Sequence, residues 1–136
     1  MLGLFVRPPV LCVTCAVIDS AGRVLLGRST KGLHLFQTPG GHVDAGETLE
    51  DAAARETCEE AGVAVRDTIV VRPLQRPRRG EVLIGCAAHY ASGTPKDSDE
   101  LSDVGFYTRT EIETLHAAGR LTWQTAELLD ALSVKR

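Results

Sequence analysis

The sequence predicts an α/β fold: a mixed central β-sheet sandwiched between helices. Three observations carry that expectation. Short runs rich in Val, Leu and Ile, punctuated by Gly and Pro, recur from residue 10 to residue 107. One helical pattern, Leu49–Ala61, interrupts them. Two more helical patterns, over 110–118 and 122–132, close the chain. A sheet so interrupted buries its faces beneath those helices, an α/β/α sandwich.

The elements follow in order. Residues 2–6 are apolar but soon meet Arg7-Pro8-Pro9, too short and in the wrong order for a secretory leader. Val10–Ile18 and 23–28 read as strands, and Asp19-Ser20-Ala21-Gly22 between them as a hairpin turn. Residues 30–33 form a loop; Thr38-Pro39-Gly40-Gly41 breaks any regular element before a short strand at 42–43. Thr48 with Asp51 three residues on resembles a capping box for the helix Leu49–Ala61, and Gly62 stands where a left-handed C-cap belongs. Two strands, 63–74 and 81–91, are joined through Arg76-Pro77-Arg78-Arg79-Gly80. A loop over 92–102 leads to a last strand at 104–107.

The 136 residues fit one domain spanning 1–136. With 43% hydrophobic and 24% charged residues the composition is that of a globular chain, which excludes long disorder, collagen-like sequence and disulfide scaffolds. Fifteen basic against eighteen acidic residues, a net charge of -3, argue against general affinity for nucleic-acid polymers or anionic membranes. No stretch approaches the ~20 apolar residues that span a bilayer. Cys12 and Cys15 make a C-x2-C, but an odd offset on a strand sends the two side chains to opposite faces. No second Cys/His pair with zinc spacing follows, so Cys12, Cys15, Cys58 and Cys86 read as buried reduced thiols and the expected location is cytoplasmic.

The charge is unevenly spread. Residues 44–60 hold seven acids and one base, Arg55, whereas the rest of the chain holds eleven acids and fourteen bases. At 100° per residue, Glu56, Glu59 and Glu60 share an arc of about 100° on the helix. A neighbouring arc of Ala53, Ala54, Thr57 and Ala61 would let the backbone lie close against the sheet. Like charges at i,i+3 and i,i+4 repel, and carboxylates late in a helix face its negative dipole end. A solvated helix face normally intersperses Lys instead. Three carboxylates held against both penalties point to a divalent cation, and oxygen-only ligands favour Mg²⁺ or Mn²⁺ over zinc.

Residues 41–63, GHVDAGETLEDAAARETCEEAGV, resemble the Nudix box, G-x5-E-x7-R-E-U-x-E-E-x-G-U with U a bulky aliphatic. Gly41, Glu47, Arg55, Glu56, Glu59, Glu60, Gly62 and Val63 stand at the required spacings; Thr57 stands where an aliphatic is usual. Phe36-Gln37-Thr38-Pro39-Gly40 resembles the family's approach to the box, with Thr38 in place of the common Leu. Glu100 with Phe106 and Tyr107 resembles the acid-then-aromatic pattern that often follows.

The resemblance implies a Nudix-type α/β/α sandwich that hydrolyses a phosphoanhydride in a nucleoside diphosphate linked to another group. Within the family, the whole-chain pattern looks closest to the branch acting on sugar-linked substrates such as ADP-ribose. It implies Glu56, Glu59 and Glu60 as metal-binding and catalytic carboxylates, with the Gly41 carbonyl a further ligand. One of these glutamates, or Glu100, would help deprotonate the attacking water. Arg55 would pair with Glu47 and orient the helix; a plain surface ion pair is the competing reading of those two.

Other features are less specific. Arg78 and Arg79, with Arg76, could meet substrate phosphates, or could simply occupy an exposed turn. Trp123 at the start of the last helix reads as packing rather than base stacking. His42 reads as a strand residue, and Asp97, Asp99 and Asp103 surround Glu100. Two competing functions stand beside the main one: a nucleoside triphosphate pyrophosphohydrolase that sanitises nucleotide pools, and a catalytically silent nucleotide-binding module. The expected partner is a small nucleotide, and a homodimer is the commonest assembly for a small enzyme.

Overall fold

The computed structural model describes residues 8–133; the apolar run at 2–6, read above as too short for a leader, lies outside the described residues. In chain order the elements are β1 (Val10–Ile18), β2 (Val24–Ser29), β3 (Phe36–Gln37), β4 (Gly40–His42), α1 (Leu49–Ala61), β5 (Ala64–Pro73), β6 (Glu81–Ser92), β7 (Leu101–Tyr107), α2 (Arg109–Ala117) and α3 (Trp123–Ser133). They build one mixed seven-stranded sheet with the path β3-β2-β1-β6-β5; β4 pairs with β1 and β7 with β2 off that path.

β1 is the axis of the sheet. Along one edge it runs parallel to β6 from Val10↔Glu81 to Ile18↔His89. Its other edge is divided: β4 pairs antiparallel through Cys12↔His42, Val13↔Gly41 and Thr14↔Gly40, and β2 joins at Ile18↔Val24. A strand paired on both edges and covered on both faces reads as a continuous apolar run, as residues 10–18 do. Its side chains alternate between two cores. Val13, Cys15 and Val17 pack under α1 with Ala52, Ala53, Ala61, Ile84 and Cys86. Cys12 and Ala16 pack on the opposite face with Leu74, Leu83 and Leu128 of α3. The sandwich is thereby closed, and the two cysteines of the C-x2-C lie in different cores, as their odd offset requires.

α1 runs over the expected residues. The Thr48 hydroxyl accepts from the Asp51 N–H at its N-terminus, and Gly62, at φ 78°, donates to the Cys58 carbonyl at its C-terminus. Its sheet-facing stripe is Ala52, Ala53, Thr57 and Ala61; Ala52 is fully buried where the sequence pattern put Ala54, which is half-buried. Small side chains allow the close approach. The Thr57 hydroxyl donates to the Ala53 carbonyl at 2.7 Å, so the polar group at this aliphatic position is satisfied.

Several ends shift by a single residue and the two-residue β3 was not expected; two boundaries differ by more. Gly40 and Gly41 do not break the sheet but open β4, because the backbone there lies directly on β1: a Cβ at Gly40 would sit 2.8 Å from Thr14 Cα. The last strand starts at Leu101 rather than at 104, since β2 pairs with it as far as Ser29↔Leu101. Cys58 is exposed rather than buried; the other three thiols are buried, and all four are free.

Candidate active site

α1, β4 and the loop before β7 meet at one end of β1 and enclose a cavity of about 710 Å³. Gly41, Glu56, Glu59, Glu60, Glu100 and Arg78 all line it. Its size lies within the usual range for small-ligand pockets.

Each glutamate is placed by a specific neighbour. The Glu56 carboxylate lies against the Gly41 backbone so closely that a Cβ at Gly41 would overlap Glu56 Oε2. Glu60 Oε1 accepts from the Gly40 N–H at 3.0 Å. The β4 glycines thus form a backbone cradle for two carboxylates one turn apart on α1. Arg55 organises the rest. Its Nε and Nη2 clamp Glu47 at 2.7 and 3.0 Å, Nη1 donates to Glu56 Oε1 at 2.9 Å and Glu59 Oε1 at 3.0 Å, and Nη2 donates to the His42 carbonyl at 2.9 Å. This fork spans the box loop, β4 and α1, which is more than a surface ion pair does. Neither Arg55 nor Glu47 lines the cavity; they stand behind it.

The electrostatics follow from this packing. The Arg55 guanidinium, helped by the Asp44 N–H, holds the Glu47 carboxyl down at about 2. Burial raises Glu56, against the pull of Arg55. Burial likewise pushes Glu60 up to about 7, opposed by the Gly40 N–H and reinforced by Glu56, Glu100 and Glu59. Carboxylates that resist ionisation together supply the donor set a divalent cation neutralises, and the glycine cradle leaves room beside them. The clustered carboxylates of Glu56, Glu59 and Glu60 therefore suit a hard divalent ion.

The outer wall comes from loops tied to the core. Thr30 donates its N–H to the Glu100 carbonyl at 3.1 Å and its hydroxyl to the Asp99 carbonyl at 2.7 Å. The Glu100 carboxylate meets Lys31 at 3.6 Å. Thr38 joins the floor to α3: its hydroxyl meets Thr14 Oγ1 at 2.5 Å and its N–H donates to Thr125 Oγ1 at 3.0 Å. This buried threonine network explains a polar residue at a position where Leu is common.

Arg78 lines the cavity, whereas Arg79 beside it does not. Arg76 instead lies over the Trp123 ring, 4.3 Å from its centroid. Trp123 is 65% exposed, so it is not the packed residue expected, and its ring takes this cation–π contact. Lys31, Cys12, His42, Glu81 and Gln124 also line the cavity, and the sequence reading singled out none of these for it. The pairing of β4 with β1, which brings Cys12 and His42 together, has no local signature.

The family model described as NUDIX domain matches residues 8–132. The NAD-capped RNA hydrolase NudC of Mycobacterium tuberculosis is 34% identical over 120 residues, covering 84% of this chain and 37% of the relative. The chain thus spans little more than a third of that relative's length. Among solved structures, the NUDIX domain of Shewanella oneidensis NrtR complexed with ADP ribose superposes with TM-score 0.80 at 19% identity, covering 96% of this chain and 90% of that one. A bifunctional NMN adenylyltransferase/ADP ribose pyrophosphatase from Francisella tularensis, complexed with AMP and a Mn ion, superposes with TM-score 0.75 at 20% identity, covering 98% and 44%. At these identities the structural likeness establishes the fold. The net charge of this chain argues against nucleic-acid polymers, whereas that relative is named for a capped RNA.

Proposed function

Because the chain belongs to the NUDIX domain family, we propose that it hydrolyses the phosphoanhydride bond of a nucleoside diphosphate linked to a further group. The observation that carries this reading is the single cavity that collects Glu56, Glu59, Glu60 and Gly41 together with Arg78 and Glu100. Glu56, Glu59, Glu60 and the Gly41 carbonyl would hold Mg²⁺, with Mn²⁺ the alternative. When bound, the ion polarises phosphate oxygens and offsets charge developing on them. Arg55 keeps Glu56 and Glu59 turned toward a common point, and Glu47 keeps Arg55 in place. Arg78 meets a substrate phosphate; Arg79 lies off the cavity and is left with the turn. A carboxylate, Glu100 or one of the three helix glutamates, takes the proton of the attacking water.

For the group beyond the diphosphate, ADP-ribose or a similar nucleotide sugar is the leading reading, supported by the fold likeness to a domain complexed with ADP ribose. A dinucleotide such as NAD is the second, favoured by the relatives named for NAD-capped RNA. Both contain the same pyrophosphate linkage. The proposed setting is the cytoplasm, and among the described residues no helix is long and apolar enough to cross a membrane.

The test is to incubate the purified chain with ADP-ribose, NAD, and nucleoside di- and triphosphates, with and without Mg²⁺, and to identify the products. Metal-dependent release of a nucleoside monophosphate from the diphosphate-linked compounds is expected. Pyrophosphate release from triphosphates alone would move the assignment to nucleotide-pool sanitising. No product from any compound would overturn the enzyme reading in favour of a binding module.

A further inference from the structure

Besides the carboxylates of α1, one other group of ligand-bearing side chains converges among the described residues. A ligand atom from each of Cys12, His42 and Glu81 lies within 4.8 Å of the other two. The three come from three different strands, and the register explains the meeting. Cys12 on β1 stands opposite His42 on β4. On the other edge of β1, Leu83 stands opposite Cys12 and packs with it, so Glu81, two residues earlier on β6, points to the same face. A core thiol needs no polar partner, yet Cys12, besides belonging to the apolar cluster of Ala16, Leu74, Leu83 and Leu128, faces this imidazole and carboxylate.

A thiol, an imidazole and a carboxylate differ in chemistry from the oxygen-only set of the glutamates. Sulfur and nitrogen donors select borderline-soft transition ions over Mg²⁺. We propose that Cys12, His42 and Glu81 form a second cation site, specific for a divalent transition ion such as Zn²⁺. All three residues line the cavity, so a fourth position remains open to water or to an anionic ligand there. His42 is exposed and Glu81 half-buried, leaving both free to draw in toward Cys12 by the ~1 Å that zinc–ligand distances require. A thiol holds such an ion as the thiolate, so the ion displaces a proton from Cys12 as it binds.

The test uses Co²⁺ as a spectroscopic probe, titrated anaerobically into the purified chain in excess Mg²⁺. A thiolate-to-cobalt charge-transfer band at one equivalent is expected, competed away by Zn²⁺ but not by further Mg²⁺. The band should vanish in Cys12→Ser and persist in Cys58→Ser and Glu56→Gln. His42→Ala, whose side chain is exposed and not needed for packing, should weaken Co²⁺ binding at least about tenfold, the scale on which even indirect supports of a bound metal act. The proposal is overturned by a cobalt spectrum without thiolate character, by a band lost in Cys58→Ser, or by affinity unchanged in His42→Ala.

Discussion

At the scale of single residues, Gly41 decides whether the glutamate cluster can form. Its missing side chain is filled by the Glu56 carboxylate. Gly41→Ala should therefore push Glu56 out of place and lower turnover by about 10²-fold, the usual consequence of a misplacement near 1 Å. Measured kcat for the variant, beside an unchanged circular dichroism spectrum, checks this. Glu56→Gln and Glu60→Gln should each abolish Mg²⁺-dependent turnover while leaving the thermal transition cooperative; near-full activity in both would remove the metal assignment. The glutamates and glycines were legible in the sequence because their spacing is local to one loop and helix. Glu81 was not. Its place beside Cys12 depends on a parallel pairing between residues some seventy positions apart, and no periodicity reports that.

At the scale of elements, α1 is a helix whose working face is set from outside. Thr48, Gly62 and most of the small-residue stripe were readable, Ala52 in place of Ala54 being the exception, since caps and helical period are properties of neighbours in sequence. The clamp of Arg55 on Glu47 ties the helix to the loop before it and carries a pH signature. Glu47 titrates near 2 in the folded chain, below the ordinary ~4.3 of an unfolded glutamate. A depressed acid stabilises the fold above its unfolded value, and that contribution is lost as pH falls from about 4.3 through about 2. Thermal melting between pH 5 and pH 2 should show Glu47→Gln losing less of its melting temperature on acidification than the parent chain. Equal losses would mean the pair is not formed in solution. The strand beginning at Gly40 was misjudged because two consecutive glycines weaken local propensity, whereas contact with β1 depends on their lack of side chains.

At the scale of the molecule, the two cores divide the labour. The α1 core carries the carboxylates; the α3 core, centred on fully buried Leu128, holds the other face of β1. Leu128→Ala should cost about 2–5 kcal/mol of stability by leaving a cavity, while kcat at low temperature stays near that of the parent. Denaturant unfolding paired with a turnover assay tests both halves of this expectation. The sandwich itself was predictable from the alternation of strand and helix patterns, because covering both faces of such a sheet leaves few arrangements. The order of strands was not predictable from the chain, and with it went the make-up of the cavity wall.

β1 finds its parallel partner only after the whole of α1 and β5 has been made, because β6 does not begin until Glu81. Closing so long a loop delays the pairing, and chains dominated by such distant contacts fold over milliseconds to seconds. The diagnostic box is complete by Val63, yet its β1 floor gains its full-length edge partner only with β6. A ribosome-bound chain ending within β5 would carry every box residue and still lack the parallel half of the platform on which they sit.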